Sequence, residues 1–144
     1  MEERFAGQLA LHLAAATGHH EVVGALLELA PNKGAILAKC DRTSDFQPLH
    51  LAAEQGHKLC VQAMLELAPD RSALLRAGVS RWSGFTPLHL VAYRGHQDAA
   101  QVLLQFAPNR RALLSLQDRQ GRGPAELALE RGHREVAAVL AEAS

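Results

Sequence analysis

The sequence predicts an all-α solenoid of four stacked helix-turn-helix units with hairpin loops projecting between them, and three observations carry that prediction. First, the stretch Gly84 to His96, GFTPLHLVAYRGH, returns as DFQPLHLAAEQGH from Asp45, GQLALHLAAATGH from Gly7 and GRGPAELALERGH from Gly121, in steps of 38, 39 and 37 residues. A fixed period of that size marks a repeat architecture. Second, each copy reads as a short amphipathic helix followed by a longer one. Third, His12 to Pro31, His50 to Pro69 and His89 to Pro108 are each 19 residues, so the helical pair keeps its length and all variation falls in the linkers. Residues 1–144 form one domain, with repeats of approximately 5–41, 42–80, 81–117 and 118–144.

The elements follow in order. In repeat one the helices are expected over Ala10 to Thr17 and His20 to Leu29, with Gly18 as the stop between them and Pro31 as the end. Leu9 falls at the N-cap position and has no side-chain acceptor, so this first helix is expected to fray. Repeat two places helices over Pro48 to Gln55 and Lys58 to Leu67. Repeat three is the clearest: Thr86 caps, Pro87 fits the first helical position, Leu88, Val91 and Ala92 make one apolar face, and Gly95 ends the helix. Two turns are not stable alone in water, so the helix from Gln97 to Phe106 must cover that face. Repeat four runs Pro124 to Arg131 and His133 to Ala143.

Each linker opens alike, with Asn32, Asp70 or Asn109 followed by Ala35-Ile36-Leu37, Ala73-Leu74-Leu75 or Ala112-Leu113-Leu114. A capping side chain before an apolar triplet reads as one extra helical turn against the stack. The remainders, Lys39 to Phe46, Arg76 to Phe85 and Gln117 to Arg122, are polar and turn-rich, and are expected to form exposed hairpins.

The chain has no net charge and is 4% aromatic, which argues against nucleic acid and anionic membrane as partners. Charge is unevenly placed: residues 1–72 sum to −3 and residues 73–144 to +3, a gradient able to steer a partner of mixed charge. Cys40 and Cys60 are too few and too far apart for a zinc or redox motif and read as free thiols of a reducing compartment. An acidic N-terminus and the absence of any run near 18 apolar residues argue against a signal peptide and a membrane span. The expected location is the cytoplasm or the nucleus.

The TPLH start, the small Ala-Ala pair, the Gly-His turn and a second helix ending in a Leu pair make the chain resemble the ankyrin repeat, whose signature includes T-P-L-H-x-A. The resemblance covers about Phe5 to Glu142. The period exceeds the family's usual 33 or so because of the extra turn after each proline, and the last copy replaces Leu-His by Ala125-Glu126. Glu126, Ala137 and Glu142 fit a terminal capping repeat. The resemblance implies a protein-protein interaction module: an adaptor, a scaffold or an inhibitor. The alternative is a recognition domain of a larger protein, such as an enzyme, a ubiquitin-ligase subunit or a channel. It also implies a partner surface on the hairpin tips and the exposed, concave side of each first helix. Here those are Arg42, Thr43 and Phe46; Arg81, Trp82 and Phe85; Arg119 and Arg122; and Ala16-Thr17, Glu54-Gln55, Tyr93-Arg94 and Glu130-Arg131. Trp82, Tyr93, Arg81 and Arg94 are the expected anchor, since aromatic and arginine side chains dominate interface hot spots. Removing Trp82 is then expected to leave the fold intact.

Eight histidines invite a metal or catalytic reading, but seven recur in register: His12, His50 and His89 in the helix start, and His19, His57, His96 and His133 in the turn. Regular recurrence marks scaffold, and the resemblance implies hydrogen bonds between neighbouring repeats. With no glycine-rich phosphate loop and no nucleophile motif, the sequence predicts no catalytic residues, no metal and no cofactor. One edge is unusual. Leu9, Leu11, Val22, Val23, Leu26 and Leu27 give repeat one the character of an internal repeat, so its outer side should be covered, by upstream repeats or by a second chain.

Overall fold

The computed structural model describes residues 2–40 and 45–143, with side chains from Ala10 onward. Its helices fall into two layers plus an extra set. The first helices are α1 (Glu2–Thr17), α4 (Pro48–Gln55), α7 (Pro87–Arg94) and α10 (Pro124–Glu130). The second helices are α2 (His20–Leu29), α5 (Lys58–Leu67), α8 (Gln97–Gln105) and α11 (Arg134–Ala143). Each packs on its hairpin partner and on the same helix of the adjacent repeats, α1 on α4 on α7 on α10 and α2 on α5 on α8 on α11. The expected extra turns are α3 (Lys33–Ala38), α6 (Arg71–Arg76) and α9 (Arg110–Leu114). Asn32, Asp70 and Asn109 cap them by accepting from the N–H of Ala35, Ala73 and Ala112 at 3.0 to 3.1 Å.

The core lies between the two layers. Leu11, Leu49, Leu88 and Leu127 of the first helices and Val23, Leu27, Val61, Leu65, Leu103 and Leu140 of the second are essentially without solvent contact. Ala15, Ala53 and Ala92, where only a small side chain lets neighbouring helices approach, are equally closed.

One expectation fails. Helix α1 runs back to Glu2 rather than starting at Ala10, so Leu9 is an interior helical residue and not a cap. No Pro or Gly stands immediately before Ala10, and the segment Gln8-Leu9-Ala10 continues the helix instead of ending it.

The histidines hold the stack together in two ways. In α7, Thr86 and His89 make a reciprocal cap: Thr86 Oγ1 accepts from the His89 N–H and His89 Nδ1 accepts from the Thr86 N–H at 3.2 Å. With Nδ1 accepting, Nε2 carries the proton and donates to the Arg122 carbonyl of the next hairpin at 3.0 Å. His50 does the same between the Gln47 N–H and the Ala77 carbonyl, and His12 reaches the Lys39 carbonyl. In α10 the equivalent residue is Glu126, which accepts from the Gly123 N–H at 3.4 Å. A carboxylate can replace the accepting half of the imidazole.

The turn histidines point the other way along the stack. His57, His96 and His133 Nε2 meet the carbonyls of Ala16, Glu54 and Tyr93 at 3.1, 2.7 and 3.0 Å. Their rings lie over Gly18, Gly56 and Gly95, whose left-handed φ and lack of a Cβ make room for them.

A candidate protein-contact surface on the first helices and hairpins

The second linker closes as a short hairpin. Val79 pairs with Phe85, a 3-10 turn covers Ser80–Trp82, and Ser83 and Gly84 take left-handed φ. The third linker is a tighter turn built on Asp118, whose Oδ1 accepts from the N–H groups of Gln120 and Arg122, both at 2.9 Å. Burial would raise the Asp118 carboxyl, but those N–H groups and the Arg122 guanidinium outweigh it and hold the carboxyl below the ordinary aspartate range. The two hairpins are tied together, since Arg119 N–H donates to the Ser83 carbonyl and its guanidinium to the Ser80 carbonyl.

Aromatic rings cross this region from one repeat to the next. Trp82 meets Phe46 at 5.7 Å, Phe85 at 6.1 Å and Tyr93 at 5.9 Å, the contacts to Phe46 and Tyr93 being edge-on. Phe85 stacks on His89, which places Phe85, His89 and Tyr93 along one side of α7. Guanidinium groups cover the outer rim. Arg94 lies 5.5 Å from the Trp82 ring and 5.7 Å from Tyr93, and Arg131 lies 4.3 Å from Tyr93. Arg94 also pairs with Glu54 at 3.1 Å, and Gln55 donates to the same carboxylate.

The structure therefore sorts the expected contact residues. Gln55, Arg81, Arg94, Arg119 and Arg131 are exposed, and Glu54, Trp82 and Tyr93 are half-buried. Phe46 and Phe85, expected among the contact residues, are 2% and 4% exposed, so they support the hairpins from beneath and present almost no surface. Arg122 is half-buried and committed to Asp118 and Glu130. Trp82 does not stand free at a tip, because three neighbouring rings hold it. Arg42 and Thr43 lie outside the described residues. Asp118 was missed, although the run Asp118-Arg119-Gln120-Gly121 carries an Asp side chain that caps its own turn and a closing glycine.

Burial sets the protonation of the scaffold histidines. His50 is lowered to about 4, because loss of water outweighs the Ala77 carbonyl and Asp45, and His89 is lowered for the same reason against the Arg122 carbonyl and Asp118. Both are neutral near pH 7, as a donor-acceptor bridge requires. Among the described residues, no three His, Cys, Asp or Glu side chains converge as a metal site, and no helix is long and apolar enough to cross a membrane. A shallow cleft of about 250 Å³ between α6 and α9, lined by Ser72, Arg76, Pro108 and Asn109 among others, shares no residue with the aromatic cluster.

A family model described as ankyrin repeats in three copies matches residues 2–73 and 71–144. No curated protein matches the chain in sequence.

Proposed function

The chain belongs to the ankyrin-repeat family, whose members are in general protein-protein interaction modules, and from that premise we propose that it binds a protein partner through the rim of Trp82, Tyr93, Arg94 and Arg131. The observation that supports this reading most is the clamping of two half-buried rings between guanidinium groups of successive repeats, Arg94 over Trp82 and Arg131 over Tyr93. Rings and guanidiniums held in place before binding lose little freedom on contact and still offer large area and directional donors. Arg81, Arg119 and Gln55 extend the rim. The role is that of an adaptor, a scaffold or an inhibitor, and the free thiols of Cys40 and Cys60 suit the cytoplasm or the nucleus.

Capture of partners from a lysate with the whole chain, followed by calorimetry with the purified partner, tests this. Arg94→Ala and Arg131→Ala together should weaken binding by at least about 2 kcal/mol while the circular dichroism spectrum is kept. Unchanged affinity in a folded double variant rules out this rim.

A further inference from the structure

The three inserted turns carry a charge that the chain as a whole does not. Pro31 to Cys40, Pro69 to Ala77 and Pro108 to Ser115 hold six of the fifteen Lys and Arg side chains, Lys33, Lys39, Arg71, Arg76, Arg110 and Arg111. Against them stands one of the fifteen Asp and Glu, Asp70, which is committed as a cap to the Ala73 N–H. Among the described residues no carboxylate pairs with any of the six, Glu28 and Glu66 at the ends of the preceding helices included. Arg71 and Arg110 use Nε to close the preceding helices, donating to the Leu65 and Leu104 carbonyls at 2.7 and 3.1 Å. Arg76 and Arg111 are exposed.

The cleft between α6 and α9 lies within this basic stripe. Leu75, Ala112 and Leu113 belong to its apolar lining, and its polar side chains are Ser72, Arg76 and Asn109. All three can donate. Arg76 gives only Nε to the Ser72 carbonyl, at 3.4 Å, and Asn109 accepts from the Ala112 N–H through Oδ1, which leaves its amide nitrogen as a donor. One repeat earlier the register equivalents of Arg76 and Asn109 are Ala38 and Asp70. The place between α3 and α6 therefore has a carboxylate and no guanidinium, and the cleft between α6 and α9 has the reverse.

We infer that this cleft binds an acidic segment of a partner protein, with one aliphatic side chain over Leu75, Ala112 and Leu113 and flanking carboxylates at Arg76 and Asn109. The chemistry selects the occupant. Guanidinium and amide donors match a carboxylate, the apolar lining matches an aliphatic side chain, and no aromatic ring lines the cleft to stack a nucleic-acid base. Ion pairs at an exposed surface are weak and screened by salt, so charge gathers the segment to the stripe and the apolar contact fixes its register. The cleft shares no residue with the rim of Trp82 and Tyr93, and the inference stands apart from the function proposed for that rim.

Fluorescence anisotropy of the whole chain with a labelled peptide, glutamates around one central leucine, tests this across a salt series. Saturable binding is expected at low salt, weakening as salt rises. Arg76→Glu combined with Arg111→Glu should weaken it at least about tenfold. Ala112→Phe fills the cleft without changing charge and should weaken it as well, each variant keeping its circular dichroism spectrum. A peptide with serine in place of the leucine should bind less tightly. The Arg94→Ala and Arg131→Ala double variant should bind the peptide like the wild type, which separates this site from the rim. No saturation at low salt, or unchanged affinity in folded Ala112→Phe, overturns the proposal. So does loss of binding in the rim variant, which would place the peptide there. A single-stranded oligothymidine that binds more tightly than the peptide also overturns it, by making the stripe a nucleic-acid surface.

Discussion

The ring of His96 fills the space above Gly56: a Cβ there would lie 2.6 Å from His96 Nδ1, while Nε2 of the same ring sits 2.7 Å from the Glu54 carbonyl. The ring cannot swing away without breaking that bond. Gly56→Ala therefore carries both the strain of a left-handed alanine, about 1–2 kcal/mol, and the loss of an inter-repeat hydrogen bond, about 1 kcal/mol. Gly132→Ala carries only the first, since at that left-handed position nothing lies within 4 Å of where a Cβ would be. Urea unfolding should place Gly56→Ala at least about 1 kcal/mol below Gly132→Ala, and equal losses would mean that the ring contributes nothing to the joint.

Leu88 is 0% exposed in the middle of the stack, and its repeat-four equivalent is Ala125. Because each repeat rests only on its neighbours, a cavity here weakens both interfaces of repeat three. Leu88→Ala should cost about 2–5 kcal/mol by chemical denaturation. A loss under about 1 kcal/mol would be incompatible with this packing.

Acid should loosen the stack through its buried histidines. His50 is held at about 4 in the folded chain against an ordinary value of 6.5, so between those values the unfolded chain binds more protons and stability rises with pH. The contribution is complete above pH 6.5 and fades as pH falls toward 4, to a loss of up to about 3 kcal/mol. His89 shifts in the same direction. Denaturation at pH 7 and pH 4.5 measures it, and His50→Gln should flatten the slope. An unaltered slope in that variant would assign the effect elsewhere.

Trp82 should matter to stability as well as to contact. Half-buried against Phe46, Phe85 and Tyr93, it cannot be removed silently, and Trp82→Ala should cost about 1–3 kcal/mol. Tyr93 fluorescence, recorded in the Trp82→Phe background, should report the rearranged cluster. A Trp82→Ala midpoint equal to wild type would return Trp82 to the role of a free tip residue.

Much of this architecture was legible because repetition averages out local ambiguity. Thr86-Pro87, Gly95 and Pro108 each mark a boundary by local chemistry, and their recurrence placed α4, α5 and the added turns α3, α6 and α9 correctly. The start of α1 is not legible, since Leu9 stands at the register position of the capping Thr86 although the chain before it continues as helix. The ring cluster was less legible still. Nothing near Trp82 in sequence reveals that Phe46 lies beneath it, because that contact arises only when repeat three stacks on repeat two. The same holds for Arg131 over Tyr93, and for Asp118 as the centre of a turn.

The turn histidines read the main chain and not side chains: their acceptors are the carbonyls of Ala16, Glu54 and Tyr93. An alanine, a glutamate and a tyrosine serve equally well, and the side chains of Glu54 and Tyr93 stand on the rim. If the proposed rim binds a partner, the same residue supplies the joint with one atom and recognition with others, so the specificity of the module can be rewritten while its seams are left alone. Exchange of Glu54, Gln55, Tyr93 and Arg94 for the rim of another repeat should redirect the chain to a new partner without a search for new stacking contacts.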